Sequence, residues 1–228
     1  MKKIGLVGGL GPESTLDYYR LIIRAFQERK SADYPEIVVY SANLTEGLRL
    51  MEARQPAPLV DWLLHKVHSL QRAGAEFAAV CSNSPHVVFE ELRRRSPLPL
   101  VSIVEAACDR TVSLGAKRPG LMGTAFTMQA DFYARAFGAR GLPMFVPPAE
   151  DQALIHRKLF SEIELGIIKD ETRAELLAIV ERMVRRDGID ALVLGCTELP
   201  LILTRDEFGI PFLNTTAVHV DAIVAAAL

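Results

Sequence analysis

The sequence predicts an α/β protein of two pseudo-symmetric halves, each a mostly parallel sheet flanked by helices. Three observations carry that class. Short apolar runs with strand character alternate with longer helical segments along the whole chain, the pattern of repeated strand–helix units. Residues 72–86 (RAGAEFAAVCSNSPH) match residues 186–200 (RDGIDALVLGCTELP): each has a lead containing Gly, an apolar strand and then small polar residues. Each is followed by an apolar stretch and a second strand after a proline, at Pro99 and at Pro211, so the chain reads as a duplication.

The elements follow in order. Residues 3–7 form a buried strand, and Gly8-Gly9-Leu10-Gly11-Pro12 is the turn leaving it. A helix starting at Glu13 or Ser14 runs to about Glu28, with proline just ahead of it. Residues 37–41 are β-branched and aromatic and form the second strand. Residues 58–73 place Leu59, Leu63, Val67 and Leu70 on one helical stripe. Residues 77–81 form the third strand, 87–95 a helix, 98–101 the fourth strand, and 103–114 a helix into the second half. There, 120–123 is a strand and 127–138 a helix. A strand at 143–146, helices at 151–165 and 171–186, a strand at 191–194 and an apolar helix at 217–228 complete the chain.

Composition narrows the function. Half of the 228 residues are hydrophobic, enough for two small cores, and the formal net charge is −2 with both signs mixed along the chain. Nothing in that balance suggests an electrostatic nucleic-acid surface. No stretch is long and apolar enough to span a membrane. Three cysteines, and an opening apolar run broken by glycines and Glu13, point to the reducing cytoplasm.

The chemistry concentrates at the ends of the two matched strands, where open α/β sheets bind ligands. One ends in Cys81-Ser82-Asn83-Ser84, the other in Gly195-Cys196-Thr197-Glu198. If the halves face each other, a small molecule lies between two reactive side chains, a geometry suited to moving a proton from one face of a carbon to the other. A lone Cys after an apolar strand is ordinarily core, but Thr197, Glu198 and the duplicate site favour function for Cys196. A thiol just ahead of a helix is also expected to have a lowered pKa. In the first half Cys81 and Ser82 compete, because adjacent strand residues point to opposite faces. Cys108 lies in an apolar helix and reads as core. The glycines at 5, 8, 9 and 11 are not spaced as a dinucleotide fingerprint. Gly9 and Leu10 instead form a tight turn offering backbone N–H groups to a substrate carboxylate. His65 and His68 share a helix face without partner ligands and read as surface; His86 and His219 either approach a site or only cap and pack.

Four motifs in order resemble the aspartate/glutamate racemase family, the cofactor-independent group that includes broad-specificity amino-acid racemases. They are residues 4–15 (IGLVGGLGPEST), 82–86 (SNSPH), 123–128 (GTAFTM) with Asp131-Phe132-Tyr133, and Gly195-Cys196-Thr197-Glu198. The resemblance covers essentially the whole chain. It implies two α/β domains, with 1–109 plus 214–228 as the first and 110–213 as the second, the active site in the cleft between them, and a homodimer. It implies a small amino acid as substrate and no cofactor or metal. Typical members use one cysteine per domain as base and acid. Cys196 matches the second; the first-domain motif reads Ser82-Asn83-Ser84, so Ser82 stands where a Cys is usual. Asn83, Ser84, Thr124 and Thr197 are then donors to the substrate carboxylate.

The cations that hold a distal carboxylate in aspartate racemases correspond to Leu48, with Arg49 one residue off, and to Glu164. Aspartate is therefore not expected to be preferred, and a neutral or cationic amino acid becomes admissible. The leading expectation is racemisation or epimerisation at Cα. A single-thiol decarboxylase of the same superfamily and an inactive binding protein are the alternatives.

Overall fold

In the computed structural model, residues 1–29, 33–53 and 55–228 are described. The chain divides into two compact units, the first Met1–Ala106 with Thr216–Leu228, the second Ala107–Thr215.

The first unit contains β1 (Ile4–Gly8), α1 (Pro12–Glu28), β2 (Ile37–Ser41), α2 (Leu44–Glu52), α3 (Pro56–Arg72), β3 (Phe77–Val80), α4 (Phe89–Arg95), β4 (Leu100–Val101) and the start of α5 (Ile103–Ser113). Its sheet is parallel throughout, in the order β2-β1-β3-β4. Central β1 and β3 are buried at every residue, as parallel strands covered on both faces must be. Ile4, Leu6, Phe77, Ala79 and Cys81 fall on one face by strand alternation. They pack with Tyr18, Ile22 and Phe26 of α1 and with Val220, Ile223, Val224 and Ala227 from α10 (Thr215–Ala227).

The second unit contains the rest of α5, β5 (Pro119–Met122), α6 (Ala125–Gln129), α7 (Phe132–Gly138), α8 (Ala149–Ser161), α9 (Asp170–Asp187), β6 (Ala191–Leu194) and β7 (Phe212–Asn214). Its sheet is β5-β6-β7, also parallel. Phe145 adds a single parallel bridge to Gly120 on the other side of β5, so both units share one strand order. Leu192, Leu194 and Cys196 pack with Ile155 and Leu159 of α8 and Leu176, Ile179, Val180 and Met183 of α9.

Four sequence expectations change. The strand at 143–146 shrinks to the Phe145 bridge, because Pro143, Pro147 and Pro148 lack the N–H groups a ladder needs. The helix at 127–138 is two helices, separated where Ala130 turns extended (ψ 155°). The helix at 151–165 stops at Ser161, and a 3-10 turn, Ile163–Leu165, follows, closed by Gly166 in the left-handed region. Helix α2 was not expected at all, although Asn43 caps it by accepting the Glu46 N–H at 3.1 Å.

Candidate active site

Strand β6 carries the chain to Gly195, whose N–H bonds the Met122 carbonyl at 2.7 Å. The next residue, Cys196, is only 6% exposed. Its thiol donates to Glu198 Oε2 at 3.1 Å, and the Thr197 hydroxyl donates to the same oxygen at 2.8 Å. The expected lowering of its pKa is not found. Only a three-residue 3-10 turn, Leu199–Leu201, follows, too short to supply a helix field. Burial, and then the Glu198 carboxylate, push the Cys196 thiol well above its ordinary value; the Glu198 backbone N–H opposes them and loses. The sulfur therefore rests protonated.

The break after α8 delivers Glu164. Ile163 is buried and anchors the turn. Its neighbour Glu162 is fixed by Thr172 and by Lys158 and Lys169, both at 3.3 Å. Glu164 is left to face the thiol: its carboxylate, Cys196 Sγ and a Glu198 carboxylate oxygen all lie within 4.8 Å of one another. Burial, with Glu198 adding to it, raises Glu164 to about 7. One soft and two hard donors are also a set that a thiophilic divalent cation accepts.

In the first unit the equivalent strand is β3. Val7 pairs with Val80 and Met122 with Leu194, so Cys81 corresponds to Gly195 and Ser82 to Cys196. Cys81 is fully buried among Phe77, Ala79 and α10, where desolvation alone drives its pKa up. Ser82 is partly exposed. Its carbonyl is held by His86 Nδ1–H at 2.9 Å, while His86 Nε2 accepts the Ile103 N–H at 3.3 Å. Those partners dictate a neutral imidazole, stacked on Phe89 with ring centroids 4.6 Å apart. His219 is a second such strut: Nε2–H donates to the Val101 carbonyl at 3.1 Å, and Nδ1 accepts from the Tyr18 hydroxyl at 2.7 Å. Both histidines thus brace the end of the sheet. His65 and His68 are exposed, and Cys108 is buried.

The remaining expected residues distribute unevenly. Asn83 is buried and Ser84 opens the 3-10 turn after Ser82. In the second unit a Cβ on Gly123 would lie 2.8 Å from the Gly195 carbonyl. That close approach sets Thr124 beside the Cys196 loop, where its hydroxyl caps α6 by accepting the Thr127 N–H at 3.2 Å. Gly9 is corrected: its N–H donates to Thr15 Oγ1 at 2.9 Å and is not offered to a ligand. Its positive φ (79°) and tight packing on Ala42 explain the glycine, and Leu10 is buried core. Leu48 lies on α2. Glu198, the direct partner of the thiol, was not among the expected site residues. An acid two places after a candidate thiol, at the end of an apolar strand, is the signal that pointed to it.

Known proteins resemble this chain over its full length. Residues 7–223 match the family model for Asp/Glu/hydantoin racemases. The broad specificity amino-acid racemase RacX of Bacillus subtilis is 24% identical over 99% of this chain and 98% of its own. A Yersinia pestis structure assigned as an Asp/Glu racemase superposes with a TM-score of 0.91 at 30% identity, covering 100% of this chain and 99% of that one. An aspartate racemase homologue from Pyrococcus horikoshii gives 0.85 at 33% identity over the same shares. With a family model matching residues 7–223, nearly its full length, the chain belongs to the Asp/Glu/hydantoin racemase family.

Proposed function

We propose that this chain is an isomerase that racemises or epimerises a free amino acid at Cα without an organic cofactor. The observation that carries the reading is the Cys196 thiol held against Glu198 at the end of β6, with Ser82 in the same register position at the end of β3. Removing an α-proton leaves a planar, enolate-like carbanion, stabilised by hydrogen bonds to its carboxylate. Asn83, Ser84 and Thr124 are the proposed donors, joined by the backbone N–H of Thr197, whose hydroxyl is already given to Glu198. Cys196 delivers its proton to one face of that carbanion. In the reverse direction it must act as a thiolate, and Glu198, already accepting the S–H, takes the proton. Ser82 serves the other face as a donor or through a relaying water, since a hydroxyl ionises too reluctantly to act alone as a base.

Leu48 and Glu164 supply no cation for a second carboxylate, so aspartate is a poor substrate in this reading. A homodimer is carried over from the resemblance and is checked by light scattering on the eluting protein. A reducing cytoplasm fits three cysteines that are all free; among the described residues no helix is long and apolar enough to cross a membrane.

A panel of L- and D-amino acids incubated in D2O and followed by NMR tests the function. Deuterium at Cα of an otherwise unchanged amino acid supports it. Loss of a carboxylate from a malonate would make the enzyme a decarboxylase, and thermal stabilisation without exchange would make it a binder.

A further inference from the structure

We propose that the flank of α3 facing β2 and α2 binds a small oxyanion of the phosphate type, received by the Lys66 ammonium and the Trp62 indole N–H. This is a second site, within the first unit, and it does not depend on the racemase reading.

Two donors one helical turn apart are buried there without acceptors. Trp62 is 8% exposed and Lys66 7%, and as i and i+4 on α3 they are neighbours. Trp62 Nε1 is fully occluded and has no hydrogen-bond partner. Its indole is wedged in place: a Cβ on Gly47 of α2 would stand 3.2 Å from Cη2. The unpaired N–H is therefore fixed by packing. Among the described residues Lys66 makes neither a hydrogen bond nor an ion pair. Its Nζ lies 4.0 Å from the centre of the Trp62 ring and 5.8 Å from that of Tyr40.

A buried lysine ordinarily carries its head out to water or into a carboxylate. Here the head rests against two aromatic faces, whose attraction for a cation offsets part of its desolvation but accepts no N–H. Burial lowers the Lys66 pKa; the carboxylate of Glu46, which opposes the shift through space, stands beyond ion-pairing distance. The indole N–H adds a second buried donor, and a buried donor left unmade is costly. Both groups only donate, so the missing partner is an acceptor, and the ammonium makes it an anion. Lysine binds phosphate as a point charge, and several equivalent oxygens let one ion answer two donors with fixed directions. The ammonium, unlike the indole nitrogen, is not fully occluded, so an ion reaches it from solvent.

Trp62 is the only tryptophan of the chain, so the tryptophan fluorescence of the full-length protein reports on this position alone. Titration with sodium phosphate, exchanged for sodium chloride at constant ionic strength, is expected to change that emission saturably. Half-saturation should fall at or below about 1 mM, and phosphate should raise the melting temperature where chloride does not. Lys66→Met keeps the apolar stem, removes the charge and is expected to abolish the response. Glu46→Gln, at an exposed side chain, removes the neighbouring negative charge and should tighten phosphate about threefold or more. An emission that never saturates, or that follows ionic strength whatever the ion, overturns the inference, as does a response that survives Lys66→Met. Should Lys66→Met fail to fold, Glu46→Gln decides: a tightened affinity upholds the site and an unaltered one overturns it.

Discussion

Cys196 is the residue on which turnover depends in the proposed mechanism. In Cys196→Ser the hydroxyl can keep the hydrogen bond to Glu198, so the fold should be preserved, but it cannot exchange a proton with carbon as a thiol does. We expect α-proton exchange to fall by roughly a thousandfold or more, with a melting temperature close to wild type; an exchange rate near wild type rules out the thiol mechanism. At the matching position of the first unit, Ser82→Ala is expected to slow exchange at unchanged stability. Cys81→Ala, which empties part of a packed layer, should cost about 1 kcal/mol of stability and leave exchange intact. The opposite pattern would make Cys81 the second acid–base group. A serine facing a thiol also makes the two directions unlike. The enantiomers are equal in free energy, so kcat/KM must agree between them, and the difference has to appear in kcat and KM separately. Ser82→Cys should raise the slower kcat.

At the scale of elements, the two buried histidines join β4, α1, α5 and the loop after β3. Burial lowers His86 to about 3, helped by the charges of His219 and Arg93, and burial lowers His219 to about 4. Both values lie below the usual 6.5, so the folded protein favours the neutral rings. Their contribution to stability is complete above about pH 6.5 and is lost as pH falls toward 4 and below. The slope is about 1.4 kcal/mol per pH unit for each ring. Denaturant midpoints measured from pH 7 to pH 4 should fall accordingly, and His219→Gln should flatten the curve; a curve of unchanged slope in that variant would show that carboxylates alone drive acid unfolding. Legibility also varied by element. Strand β6 and helix α9 were plain from apolar runs and periodicity. Helix α2 was overlooked because it spans only nine residues with a glycine inside, although Leu44, Leu48 and Met51 recur at helical spacing and the Asn43 cap was readable. The strand expected at 143–146 failed because prolines bound the segment, leaving a single bridge at Phe145.

Across the whole molecule, the core of the first unit is completed by a helix from the far end of the chain. Val220, Ile223, Val224 and Ala227 of α10 are at most 2% exposed and pack with β1, β3 and α1. Burying three branched side chains at about 1.5–3 kcal/mol each is comparable to the net stability of a domain. A chain ending at Asn214 should therefore lose cooperative unfolding, which near-ultraviolet circular dichroism and dye binding will register; a truncated chain that melts like the full one would show that the first unit closes without α10.

The sequence by itself determined the class of fold, the duplication and the pair of strand ends expected to bear the chemistry, because strand alternation, helical periodicity and strand-end polarity are local patterns. It also singled out Cys196, Ser82 and Glu164 as expected site residues through motif order. Tertiary structure alone decided which of Cys81 and Ser82 lies on the packed layer, since that depends on pairing between β1 and β3. It alone placed Glu198 against the thiol and Glu164 beside both, because a helix break distant in sequence brings the second acid there. The direction of the thiol's pKa followed from the same cause: burial and neighbouring carboxylates are set by packing, and they outweigh any field from the short turn that follows Cys196.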